Sequence, residues 1–215
     1  MIINCKIYFM IISFFILSYG PVSSQESSNS YRWVANNSAK IVQAHIIDRE
    51  EVRFDYDEEN LVCGYILELN VSKSFKGGDD NFKLLATNSD VLMDDDQEYF
   101  IFARKNPKFG VTGPDALDFV NCDGGKSARM DVSRFEYLAT RLRQQIFPLV
   151  SYDGGEQIVD EDTGVIKRGQ WMMIVDRIAN AALPYTIMRR RLNNGNENII
   201  EEMSYTDFLT EIIDR

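Results

Sequence analysis

Between residues 39 and 106 apolar and polar side chains alternate with the two-residue period of strands. Residues 40–48 set Val42, Ala44 and Ile46 on one side against Gln43 and His45 on the other. Residues 61–71 are cleaner, with Leu61, Cys63, Tyr65, Leu67, Leu69 and Val71 on one face while Glu68, Asn70 and Ser72 point away. Lys76-Gly77-Gly78-Asp79-Asp80 has the composition of a turn. It leads to a third strand over 82–87, and a fourth spans 97–104 around Tyr99-Phe100-Ile101-Phe102. Short strands at close spacing, with no helical period between them, predict an antiparallel barrel or sandwich. At Ser133 the period changes. Val132, Phe135, Leu138, Ala139, Leu142 and Ile146 recur at helical spacing, Ser133 and Glu136 have the spacing of a capping box, and the pattern stops before Pro148. The first unit, taken as residues 25–147, is therefore expected to be strands closed by one helix.

Residues 148–215 differ in make-up. Strand patterns fall at 170–177 and 183–192, Asn193-Asn194-Gly195 is a hairpin signal, and Ile199-Ile200-Glu201-Glu202 follows it. A last helix from Ser204 aligns Tyr205, Phe208, Leu209, Ile212 and Ile213. So short a segment buries little core unaided, so it is expected to be a small α+β extension packed on the barrel.

Composition changes this picture at the amino terminus. Over the whole chain, 45% apolar and 26% charged residues exclude disorder as the default. Residues 1–24, however, hold a single charge, Lys6, ahead of an apolar run over 7–17, and Val22-Ser23-Ser24 places small residues before Gln25. This is the form of a signal peptide cleaved near Ser24, and the expected location is secreted or periplasmic. Loss of Lys6 makes the remaining chain one unit more acidic than the full-length net charge of −10. Cys5 leaves with the leader. Cys63 and Cys122 are then expected to pair in an oxidising compartment, the alternative being two buried thiols. No apolar run after residue 24 approaches the ~20 residues of a membrane-spanning helix, so no stable membrane anchor is expected after cleavage.

The residues that could carry chemistry are few. The one histidine, His45, lies between Ala44 and Ile46 in a strand, which suits a structural role better than a catalytic one. Gly125-Lys126-Ser127 imitates the end of a phosphate loop, but Val120 stands where its first glycine is needed. Acidic clusters at 55–59, 94–96 and 160–162 lack the spacing of a calcium loop. Negative net charge in an exported chain opposes nucleic-acid binding. No catalytic, cofactor-binding or metal-binding residue is therefore expected. Candidate partner-binding residues are Tyr31, Trp33, Phe109 and Trp171, aromatic anchors near loops, together with Arg189 and Arg191, which alternation places on one side of a strand beside Tyr185 and Ile187.

Four segments, Ala39-Lys40-Ile41-Val42-Gln43-Ala44, Tyr65 to Val71 running into Lys73-Ser74-Phe75-Lys76-Gly77, Asp96-Gln97-Glu98-Tyr99-Phe100-Ile101-Phe102-Ala103, and Asn121-Cys122, occur in an order and spacing that resemble the netrin-module and tissue-inhibitor-of-metalloproteinase-like family. The resemblance covers about residues 39–147. It implies a five-stranded antiparallel OB-type barrel and a non-catalytic module that recognises an extracytoplasmic protein or matrix component. In the tissue inhibitors an amino-terminal cysteine clamps the target's zinc. The expected first residue here is Gln25, so zinc-directed inhibition does not carry over. Two other classes stay open: an envelope carboxylate-dependent hydrolase with its site between barrel and extension, and a structural component of a secreted assembly.

Overall fold

The computed structural model describes residues 31–56, 59–87, 96–122, 125–140, 145–152, 158–159, 166–174, 188–191 and 199–213. The expected leader, the acidic run at 160–162, Tyr185, Ile187 and the Asn193-Asn194-Gly195 turn lie outside them.

The chain is mainly β. A short helix α1 (Tyr31–Asn37) precedes β1 (Lys40–Tyr56), β2 (Glu59–Lys76), β3 (Phe82–Thr87) and β4 (Glu98–Lys105). The hairpin β5 (Leu117–Asn121) and β6 (Ser127–Asp131) follows, then β7 (Tyr137–Thr140) and β8 (Ile146–Ser151). Beyond these are β9 (Ile158–Val159), β10 (Ile166–Lys167), β11 (Gln170–Ile174), β12 (Met188–Arg191) and β13 (Ile199–Ser204). Helix α2 (Tyr205–Phe208) ends the described chain and runs on as a wider π-type turn over Leu209–Ile213.

One sheet has the order β1-β2-β3-β7-β4-β8-β11-β13-β12, and β1 also pairs with β4, so β1, β2, β3, β7 and β4 form a closed ring. Strands β1 to β3 meander and β4 returns beside β1, the Greek-key arrangement. Hydrophobic alternation accounts for the ring. Val42, Ala44, Ile46, Leu67, Leu69, Leu84, Tyr99, Ile101 and Ala139 share one core cluster. The opposite sides of β1 and β4 are buried as well. Ile41, Phe100 and Phe102 belong to a second cluster with Tyr31 and Val34 of α1, Phe147 of β8, Met172 of β11, Met203 of β13, and Tyr205 and Phe208 of α2. The segment after residue 147 thus supplies an outer layer to the ring.

Among the described residues of the helix expected over 133–146, none is helical. Ser133 and Arg134 turn, and the chain then enters β7, which lies parallel to β3 from Leu84↔Tyr137 to Thr87↔Thr140 and antiparallel to the end of β4. Ser133 bonds Asp131 Oδ1 through its hydroxyl at 2.6 Å instead of capping a helix. Buried Asn106 donates its side-chain amide to the carbonyls of Val132 and Phe135 at 2.6 and 3.0 Å, which spends on a turn the carbonyls a first helical turn would use. Closing the ring is the larger effect: without β7, β3 and β4 would both end in open edges. The helix expected from Ser204 is present, with the Ser204 hydroxyl accepting from Asp207 N at 3.4 Å.

Strand β2 skips a residue against β1 at Cys63, between the pairs Val52↔Gly64 and Arg53↔Val62. Beside this bulge Gly64, at φ +154°, is pressed against β3, and a Cβ there would stand 2.5 Å from the carbonyl oxygen of Ala86. Gly64→Ala should therefore cost roughly 1–3 kcal/mol of folding stability, because backbone has to move to admit the methyl group. A urea titration monitored by tryptophan fluorescence checks it; an unchanged midpoint would show that the β2–β3 ladder gives way freely.

A candidate binding groove

The turn that replaces the expected helix shapes an open concavity on the ring. Asn106 is buried, and its Oδ1 accepts from Lys108 N at 2.9 Å while Phe109 N donates to Asn106 O at 3.1 Å. This knot sends Phe109 outward with 47% of its surface exposed. Phe109 then forms one lip of a groove of about 470 Å³, whose walls include Phe82 of β3, Tyr137 of β7, Ile66 of β2 and Phe135.

The floor is aromatic and held from behind. Phe82 and Tyr137 meet edge to face with centroids 5.0 Å apart. Lys40 Nζ lies 5.1 and 5.6 Å from those two ring centres and donates to the carbonyl of Gly77 at 2.8 Å. Gly77, at φ +85°, comes so close to the carbonyl of Ala39 that no side chain fits between them, which is why the Lys-Gly turn can close over Lys40. Burial, and after it the neighbouring Glu136 carboxylate, holds the Tyr137 phenol above its ordinary pKa, so it stays a neutral hydroxyl. The rim carries both signs: Glu50 and Glu136 against Lys83 and Arg134, whose guanidinium lies 4.8 Å from the ring centre of Phe135.

A second cleft, of about 290 Å³, lies at the seam between ring and outer layer and is lined by His45, Asp96, Gln97, Glu98, Leu149, Ser151 and Gln170. Glu98 Oε1 is 2.6 Å from Ser72 Oγ and 3.8 Å from His45 Nε2. The carboxylate therefore stands between serine and histidine, whereas a nucleophilic triad needs the histidine in the middle to take the serine proton. Nearby, Tyr205 donates its hydroxyl to Gln43 Oε1 at 2.9 Å inside the protein, and burial with Glu98 beyond it raises that phenol's pKa strongly.

The sequence candidates scatter. Phe109 is the exposed groove lip. Tyr31 is 2% exposed and packs edge to face on Phe147, so it is a core residue. Trp171 is also buried, its indole N–H donating to Arg168 O at 3.0 Å. Trp33 is half-buried against the core that holds Tyr31. Arg189 and Arg191 lie on β12, the end strand of the sheet, opposite Glu201 and Ile199. Cys63 and Cys122 are joined in a disulfide across a sequence separation of 59, and together with Val120 and Ala128 they hold the β5–β6 hairpin against β2. Phe82, Arg134 and Tyr137 do not stand out in the sequence, because a helical reading of 133–146 puts Tyr137 on a helix and takes it away from Phe82.

Among the described residues no group of three or more His, Cys, Asp or Glu side chains is placed to hold a metal ion, and no helix is long and apolar enough to cross a membrane. No family model, no curated protein and no solved structure matches the chain. The fold and groove define the class by themselves: a disulfide-bonded, mainly β protein with an open aromatic-floored groove on a five-stranded ring.

Proposed function

We propose that this is an exported, non-catalytic protein-interaction module of the netrin and tissue-inhibitor-like type, in which the five-stranded ring is an OB-type barrel and the groove binds an extracytoplasmic protein or matrix component. The observation that carries the reading is Phe109: a large apolar ring exposed at the lip of an aromatic floor, inside a rim of both charge signs. An apolar centre within a polar rim is the anatomy of a protein interface. The Greek-key order of the ring supports the barrel type, and the Cys63–Cys122 bond fits an oxidising compartment after cleavage near Ser24.

The competing hydrolase has the seam cleft in its favour, since Asp96 and Glu98 both line it. One experiment separates the two. The mature chain and its Phe109→Ala variant are used side by side to capture partners from the extracytoplasmic fluid of the source. As an exposed residue, Phe109 should cost less than about 0.5 kcal/mol of stability when truncated, yet capture should fall roughly tenfold or more. Equal capture by both chains would remove the groove from the reading. Turnover of a peptide or glycan panel, abolished by Glu98→Gln, would transfer the function to the seam.

A further inference from the structure

Strand β1 has two partners only over its first third. It pairs with β4 from Lys40 to His45 and with β2 along its length, so between Ile47 and Tyr56 no strand among the described residues lies on its other edge. The irregularity at Ile47 ends there, and from Asp48 onward β1 itself is unbroken, the later bulge belonging to β2. Arg49 N donates to Asp48 Oδ1 at 2.9 Å, so its N–H faces away from β2. By strand alternation the backbone groups of Glu51, Arg53 and Asp55 face outward too. Ile47 and Phe54 are 55% and 39% exposed, and Asp48, Arg49, Glu50, Glu51, Arg53 and Asp55 are exposed as well. A long, accessible edge of this kind is a template for another strand.

We propose that the occupant is a second copy of this chain, paired antiparallel through this edge about a two-fold axis at Val52. The charge order argues for it. A two-fold axis normal to the sheet keeps each face on its own side, so some residue must pair with itself. Centring on Val52 sets Arg49 opposite Asp55 of the other copy and Glu51 opposite Arg53 of the other copy, each twice, giving four cross-strand pairs of opposite charge. On the other face Val52 meets Val52, with Phe54 diagonal to it. Neighbouring registers fail. Centring on Glu51 opposes it to itself and Arg49 to Arg53; centring on Arg53 opposes it to itself and Glu51 to Asp55. The Arg53–Glu51 ion pair within one chain then becomes part of an alternating row shared by two. Arg49 N–H exchanges the Asp48 carboxylate for a backbone carbonyl across the axis. This pairing does not rest on the groove reading.

Sedimentation of the disulfide-bonded mature chain, with Glu51→Arg and Arg53→Glu variants, tests it. The wild type should sediment as a dimer that weakens with added salt. Each variant alone sets like charges opposite each other twice, and its dissociation constant should rise by roughly tenfold or more. An equal mixture of the two variants should recover dimer. The arginine introduced at position 51 of one chain then faces the glutamate introduced at position 53 of the other, and the native Arg53 of the first faces the native Glu51 of the second. Recovery in trans also shows that both variants are folded. A monomeric wild type, variants that dimerise unchanged, a mixture that stays monomeric, or an extended peptide bound to this edge on a monomeric chain would each overturn the proposal.

Discussion

Phe208→Ala should lower the unfolding free energy by roughly 3–5 kcal/mol, the largest loss expected from any single side chain here. The Phe208 ring is fully buried and lies 5.5 Å from Phe100, 6.0 Å from Phe102, 6.0 Å from Phe147 and 6.2 Å from Tyr31, centre to centre. Those four rings come from β4, β8 and α1. The one phenylalanine is therefore the point at which the ring, the strand after it and the amino-terminal helix are pressed together by a residue from the far end of the chain. Truncation leaves a cavity walled by aromatic rings, which are stiff and relax into it poorly. Equilibrium unfolding in urea gives the magnitude. Phe208→Leu keeps most of the volume and should recover more than half of the loss. A loss below about 1 kcal/mol in the alanine variant would mean that α2 does not dock as described.

The double replacement Cys63→Ser with Cys122→Ser should destabilise by about 4 kcal/mol, by a different route. The bond closes a span of 59 residues that includes β3, β4 and β5, and its loss returns that loop's freedom to the unfolded chain. The native contacts of the β5–β6 hairpin with β2 also depend on it: beside the bond stand a small cluster of Val120 and Ala128 with Leu61 and Met130, the packing of Met130 near Ile66, and the surface pair of Lys126 with Glu59 at 2.6 Å. Hydrogen exchange should therefore show β5 and β6 losing protection more than β4 does, alongside the lower urea midpoint. Equal protection in both proteins would show that the hairpin is held without the sulfurs.

How much of this is legible in the sequence depends on which faces of a strand are buried. Strand β3 matches its expected bounds of 82–87 because only local alternation and a preceding turn define it. Alternation alone ends β1 at Asp48 and buries one of its faces. The strand continues to Tyr56, and Ile41 and Gln43 on the supposed polar face are buried under α2, a contact between residues 162 positions apart that no local period reveals. Helix α1 is missed by the pattern reading although Tyr31, Val34 and Ala35 stand at helical spacing and are buried. The error at 133–146 has the opposite cause. A true i, i+3, i+4 pattern and a capping-box spacing are present, but the pairing offered by β3 and β4 outweighs them, as tertiary context overrides propensity. That error also hides the groove, since Tyr137 reaches Phe82 only from a strand. The disulfide is legible because the expected leader holds Cys5, which leaves Cys63 and Cys122 as each other's expected partner.

Strand β8 joins the two halves of the sheet in an unusual way. Ile146, Phe147 and Pro148 pair with β4, and Leu149, Val150 and Ser151 pair with β11. The ring and the outer strands are thus spliced through the covalent backbone of a single strand, with the handover at a proline. Such a splice forbids the two halves to slide in register, because consecutive residues of one backbone fix the pairing on β4 and on β11, so mechanical load applied to the outer strands reaches the wall of the ring through covalent bonds.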